Sequence, residues 1–109
     1  MSQRFTQILN SYLRHENLSP EAKLVGGVIA SYANWEGLAW PGTEVLMRNT
    51  GLGRHVVQRA RSELVKGQWL QKLYPRGDSG KFRGVRYRVT ARILHYRVPH
   101  NQGKRPSET

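Results

Sequence analysis

Five hydrogen-bonding side chains recur at helical spacing near the middle of the chain: Arg54, His55, Gln58, Arg59 and Ser62. They lie in a stretch without glycine or proline, so we expect them to share one face of a helix. The guanidinium of an arginine matches the two acceptors on the edge of guanine, and the amide of a glutamine matches the edge of adenine. We therefore predict that this face reads base edges in double-stranded DNA, with the arginines and the glutamine as the main contacts.

A second set of side chains has the chemistry to contact phosphates. Arg61 and Lys66 belong to the same helical stretch, and Arg86 alternates with apolar residues, so that it should face outward from a strand. Residues 75–84 combine three glycines, a proline and three basic side chains, which predicts a long basic hairpin loop. The full set predicted to contact the DNA backbone or the minor groove is Thr43, Arg61, Lys66, Arg76, Lys81, Arg83 and Arg86.

The distribution of charge supports a polyanionic partner. The chain has 18 Lys and Arg against 7 Asp and Glu, a formal net charge of +11. Residues 1–53 contain four basic and four acidic residues, whereas residues 54–109 contain 14 basic and three acidic residues. Because self-repulsion within one half of a chain lowers stability, such an excess indicates a compensating partner, and nucleic acid is the leading candidate.

Side chains with catalytic or metal-binding chemistry are scattered along the chain instead of clustered. The four histidines have no metal-ligand spacing, and there is no cysteine to complete a zinc site. The segment Gly51, Leu52, Gly53 lacks the lysine and the third glycine of a phosphate-binding loop. We therefore expect no enzyme activity, no cofactor, no metal and no small-molecule ligand.

Apolar periodicity predicts two helices in the first third of the chain. The first is a short amphipathic helix within the first fifteen residues, beginning near Phe5, whose apolar face is expected to pack on the main domain. The second follows Ser19, a suitable N-cap, with Pro20 at the first helical position. Gly26 and Gly27 weaken this second helix and indicate a close contact with another helix.

Two further helices are predicted around a glycine-centred turn. The third begins after an N-cap at Thr43 and ends near Gly51, which can adopt the positive φ of a tight turn. The fourth runs over residues 54–66, with Gly53 as its N-cap and Gly67 as its stop. Two helices joined in this way, the second longer and more basic, are typical of a helix-turn-helix.

Alternating patterns predict strands at residues 69–74 and 85–89, joined by the basic loop, and residues 38–41 predict a short extended piece. Four aromatic side chains, Trp40, Trp69, Tyr74 and Tyr87, fall on positions expected to face the core. An RNA-stacking platform would need such aromatic rings exposed. We divide the chain into an amphipathic N-terminal segment (1–17), one domain (18–98) and a disordered polar tail (99–109).

The order of these features resembles the winged helix-turn-helix DNA-binding domains of bacterial and phage regulators and of plasmid replication initiators. The residues that carry the resemblance are 18–25, 32–34, 40–41, 52–54, 57–60 and 63–64. The resemblance implies an α+β fold with a three-helix core and a β-hairpin wing, preceded here by an extra N-terminal helix. It also implies that the fourth helix enters the major groove and that the wing lies on the backbone or in the minor groove. Arg61, Met47 and the paired glycines depart from the usual pattern.

These observations favour a sequence-specific duplex DNA-binding protein, in particular a small transcriptional regulator from a bacterium or a mobile element. The alternatives are the DNA-binding module of a plasmid or phage replication initiation factor, and an RNA-binding protein. A homodimer is compatible with the sequence. No apolar run is long enough to span a membrane and the N-terminus does not resemble a signal peptide, so we expect a cytoplasmic, nucleoid-associated protein without a membrane partner.

Overall fold

Four helices and a three-stranded antiparallel sheet form the part of the chain that the structure, a computed structural model, describes: residues 5–73 and 86–94. The elements in chain order are α1 (Asn10–Leu13), α2 (Pro20–Ser31), β1 (Leu38–Ala39), α3 (Thr43–Thr50), α4 (Arg54–Lys66), β2 (Leu70–Leu73) and β3 (Arg86–Val89). This α+β arrangement confirms the predicted fold class, a winged helix-turn-helix domain. The predicted wing loop at 75–84 and the predicted tail at 99–109 lie outside the described residues.

The start of α2 follows directly from its local sequence. Ser19 is the N-cap, and its Oγ accepts a hydrogen bond from the Ala22 N–H at 3.1 Å. Pro20 occupies the first helical position, where the missing N–H removes no helical hydrogen bond. The predicted N-cap and helix start are therefore confirmed.

Helix α1 is shorter than predicted, because the residues before it form a different interaction. Ile8 forms an antiparallel bridge with Leu94, and the Leu9 N–H donates to the Ile93 carbonyl at 2.8 Å. This pairing with a distant part of the chain keeps the backbone before Asn10 extended. The prediction of a helix beginning near Phe5 was therefore wrong in extent, and the Phe5 side chain is 84% exposed.

Tyr12 connects α1 to the core. Its side chain is fully buried, and its hydroxyl donates to the carbonyls of Ala22 and Lys23 at 2.9 and 2.8 Å. Burial, and to a smaller degree the negative charge of Glu63, raises the pKa of the Tyr12 hydroxyl above its ordinary value. The hydroxyl therefore stays a donor over the whole physiological pH range, and it lies directly against Gly26.

The sheet has the order β1-β3-β2, and its register decides which side chains face the helices. Ala39 and Lys72 lie opposite Tyr87, while Leu38 and Gln71 lie opposite Arg88. The two long strands coincide with the predicted ones, although each contains only four residues. Tyr74 and Val85, at the ends of the predicted strands, lie outside the described residues.

One core joins the inner face of the sheet to the four helices. The buried apolar side chains are Tyr12, Leu18, Ala22, Val25, Ile29, Ala30, Ala39, Leu46, Val57, Ala60, Leu64, Trp69, Leu70, Tyr87, Val89, Ile93 and Leu94. Burial of Trp69 and Tyr87 was predicted and is confirmed. None of the helices in the described ranges has the length and apolar character needed to cross a membrane.

Trp40 does not belong to this core, so the prediction that its side chain faces the core was wrong. Its side chain is 50% exposed. The register explains the difference, because Ala39 is buried opposite Tyr87 and successive residues of an extended chain point to opposite faces. Trp40 therefore lies on the outer face, where the guanidinium carbon of Arg86 is 4.9 Å from the centre of its ring.

Candidate nucleic-acid interface

Helix α4 has one buried face and one exposed polar face. Val57, Ala60 and Leu64 are buried against the rest of the domain. The opposite face carries the exposed side chains of all five residues predicted to contact bases, Arg54, His55, Gln58, Arg59 and Ser62, together with Lys66. The structure thus brings the five residues together on one accessible face of α4, while the opposite face of the helix packs against the rest of the domain.

The turn between α3 and α4 is fixed by local hydrogen bonds and one unusual backbone conformation. Gly51 has φ 79°, in the left-handed region that favours glycine, and its N–H donates to the Met47 carbonyl at 2.9 Å. The Thr50 hydroxyl donates to the Leu46 carbonyl and accepts from the Leu52 N–H. As predicted, Gly53 is then the N-cap of α4. This turn sets the direction in which the exposed face of α4 points.

An ion pair joins the two helices at the start of that face. The Arg54 guanidinium lies 2.9 Å from Glu44 Oε2, and the two side chains are 48% and 75% exposed. Arg54 was predicted to contact bases, and its pairing with Glu44 was not predicted. Because both groups are well exposed, the pair contributes little to stability and can be exchanged for another partner.

A second contact between α3 and α4 changes the roles expected for two residues. Thr43 is the first residue of α3, and the N-cap is Gly42, so the prediction of an N-cap at Thr43 was wrong by one position. The Thr43 hydroxyl instead accepts a hydrogen bond from the Arg61 guanidinium at 2.7 Å. Arg61 is therefore half-buried on the flank of α4 that faces α3, which explains how an arginine is accommodated at that position.

Glu63 fixes the other flank of α4 and was not identified from the sequence. Its carboxylate accepts from the Ser19 N–H at 2.9 Å and from the Ser19 hydroxyl at 2.7 Å. The N-cap residue of α2 is thus held by α4. The signal for this contact was an acidic residue within an otherwise basic helix, but the 44-residue separation in sequence gave no indication of its partner.

A shallow depression of about 180 Å³ lies between the exposed face of α4 and the sheet. Its lining includes Gln58, Arg61 and Ser62 from the helix, and Lys72 and Tyr87 from the strands. Lys72 was not among the predicted contacts, and it lines the depression together with three residues that were. The register explains its position, since Lys72 lies opposite Tyr87, and the two side chains are on the same face of the sheet.

The remaining predicted contacts either lie away from the exposed face of α4 or fall outside the described residues. Arg86 lies on the outer face of the sheet, as its alternation with apolar residues predicted, and it is partly buried there beside Trp40. Arg76, Lys81 and Arg83 lie outside the described residues. Within residues 5–73 and 86–94, no three His, Asp or Glu side chains come together in a way that could hold a metal ion.

A comparison with protein families agrees with this geometry. A family model described as a helix-turn-helix domain matches residues 16–70, from just before α2 to the first residue of β2. The matched region spans about half of the 109 residues and includes α3, the turn and all of α4. Comparisons with curated proteins and with solved structures gave no significant match.

Proposed function

Because the chain belongs to the helix-turn-helix family of DNA-binding domains, we propose that it recognises specific sequences in double-stranded DNA by placing α4 in the major groove. In this proposal Arg54, His55, Gln58, Arg59 and Ser62 contact base edges. The biological role that fits best is that of a small transcriptional regulator in the bacterial cytoplasm.

The observation that carries the proposal is the division of α4 into two faces. Three apolar side chains anchor the helix, and the five polar side chains opposite them are all exposed. The major groove is wide enough to admit one α-helix, and arginine and glutamine side chains on such a helix discriminate between bases. A helix face that contacts only solvent would not need this set of two arginines, a glutamine and a histidine.

Phosphate contacts would surround this helix. Lys66 is exposed at the end of α4, and Thr43 and Arg61 form a polar pair where α3 meets α4. The wing residues Arg76, Lys81 and Arg83 complete the proposed set. Arg86 is left out of it, because it lies against Trp40 on the outer face of the sheet. Such contacts fix the orientation of a protein on the duplex without selecting its sequence.

The proposal is tested by selecting bound duplexes from a random DNA library at near-physiological salt and sequencing them. We expect enrichment of a short motif, and a motif repeated with two-fold symmetry would indicate a homodimer. Failure of the wild-type protein to enrich any motif would contradict sequence-specific recognition.

The role of Arg59 is tested on the selected site. Replacement of its guanidinium should cost about 1–3 kcal/mol of binding free energy on that site, and should relax the preference at one base position. The variants are Arg59→Ala and, as a control with the same change of charge on exposed Arg14, Arg14→Ala. An equal loss of affinity for the selected site and for random duplexes would show that Arg59 does not read a base.

A further inference from the structure

The outer face of the sheet combines an exposed aromatic ring with basic side chains. The register places Leu38 and Arg88 opposite each other on this face, and Arg86 and Trp40 meet at the next outward position. The buried side chains of Ala39, Tyr87 and Val89 point the other way, towards the helices. The outer face is therefore a surface separate from the exposed face of α4.

Trp40 is held in place but remains accessible. The Arg86 guanidinium lies against the ring at 4.9 Å from its centre, and half of the Trp40 surface is still exposed. A tryptophan ring supported on one side by a guanidinium presents a flat apolar surface to solvent, and a nucleobase stacks readily on such a surface. Arg88, exposed on the same face and two residues from Arg86 along β3, supplies a further positive charge.

The charge of this face favours an anionic ligand. Strand β3 contributes Arg86 and Arg88 to this face, and none of the residues in the described strands β1, β2 and β3 is Asp or Glu. Grooves that bind single-stranded nucleic acid combine these two features, aromatic rings for the bases and basic side chains for the backbone. Duplex DNA offers no free base faces for stacking, so the ring specifically fits an unpaired strand.

We propose that the outer face of the sheet binds an unpaired DNA strand, with a base stacked on Trp40, the ring supported by Arg86, and a phosphate contacted by Arg88. The choice of DNA rests on the family membership and on the proposed function. A domain that holds a duplex on α4 keeps any unpaired stretch of the same molecule at a high local concentration.

Binding of short oligothymidylate, which has little secondary structure, tests the proposal directly. Its affinity for the full chain is measured by fluorescence anisotropy of a labelled oligonucleotide at several salt concentrations. Trp40→Leu should weaken binding about tenfold or more. Arg88→Gln should lower the slope of log affinity against log salt by about 0.7, the value for one phosphate contact on a single strand.

Two controls separate stacking from loss of structure. Trp35 is 75% exposed in the turn before β1, so Trp35→Leu removes more exposed aromatic surface than Trp40→Leu does and should still leave the affinity for oligothymidylate unchanged. Thermal unfolding checks that each variant is folded. In a Trp35→Phe background, oligothymidylate should also quench the fluorescence of Trp40, whereas Trp69 is buried and contributes a constant signal.

The outcomes that overturn the proposal differ from those that overturn duplex recognition. No binding of oligothymidylate by the wild-type chain at low salt, or equal losses for Trp35→Leu and Trp40→Leu, would exclude this site. Tighter binding of oligouridylate than of oligothymidylate would show an RNA site instead. Arg59→Ala should leave oligothymidylate affinity nearly unchanged, and Trp40→Leu should leave the order of preference among duplex sites unchanged.

Discussion

Gly26 and Gly27 are neighbours in α2, but their surroundings are different. A Cβ atom built on Gly26 would overlap the Tyr12 hydroxyl and lie 3.1 Å from Tyr12 Cζ and 3.2 Å from Leu64 Cδ1. The hydroxyl cannot easily move aside, because it donates to two carbonyls of α2. A Cβ on Gly27 would meet only Ile8 Cδ1, at an ordinary 3.7 Å. The first glycine is required by packing, and the second is not.

We therefore expect opposite effects from the same substitution at the two positions. Gly26→Ala should lower the free energy of unfolding by about 1–2 kcal/mol, because overpacking a core outweighs the gain in helix propensity. Gly27→Ala should raise it by up to about 1 kcal/mol, since alanine favours the helix and nothing opposes it. Urea unfolding of the two variants measures both values.

A double variant checks the physical reason given for Gly26. If the Tyr12 hydroxyl causes the loss, Gly26→Ala should cost less in a Tyr12→Phe background than in the wild-type chain. An unchanged penalty in that background would assign the effect to the remaining ring atoms or to Leu64 instead.

At the scale of the elements, what could be predicted depended on whether the cause was local. The cap at Ser19, the left-handed Gly51 and the two faces of α4 follow from neighbouring residues, and all three were predicted. The start of α1 and the orientation of Trp40 depend on pairing with residues far along the chain. Periodicity contains no information about such partners, so the helix was predicted too long and the tryptophan was placed in the core.

In the candidate site, too, features with a local cause were predicted and those that depend on distant residues were not. Helical spacing was sufficient to predict which side chains of α4 share an exposed face. It did not predict the partners of Arg54, Arg61 and Glu63, because these depend on how α4 crosses α3 and α2. Lys72 was missed for a related reason, since only the strand register brings it beside α4.

The turn between α3 and α4 gives a prediction at this scale. Gly51→Ala should lower the free energy of unfolding by about 1–2 kcal/mol, because φ 79° brings an L side chain into conflict with its own backbone. Crowding is not the cause, since a Cβ at this position has no neighbour within 4 Å. Gly51→Asn should lose less, because asparagine adopts this conformation more readily. Thermal unfolding would contradict this account if alanine and asparagine had equal effects.

For the whole molecule, the separation of charge along the chain has a measurable consequence. The excess of basic residues lies in residues 54–109, which contain α4, the predicted wing and β3. A protein with the proposed function would release counterions mainly through this half when it binds a duplex. Contacts made by the wing should therefore appear in the salt dependence of binding more clearly than in sequence preference.

Removal of single wing charges tests this expectation. Lys81→Ala and Arg83→Ala should each weaken binding to all duplexes alike and lower the slope of log affinity against log salt by about 0.9. Arg14→Ala, which removes one charge in the neutral half, should leave the slope unchanged. A slope that stays constant in the wing variants would exclude the wing from the interface.

The ion pair between Glu44 and Arg54 also affects how quickly a protein with the proposed function would find its target sequence on DNA. The negative charge of Glu44 offsets the positive charge of Arg54, so on DNA of any sequence this arginine adds less to the general attraction for phosphates than an unpaired arginine would. Opposite a matching base the guanidinium gains two hydrogen bonds and can change partner. Weaker binding to random sequences shortens the time that the protein spends at each of them, and the full set of contacts forms only at the matching sequence.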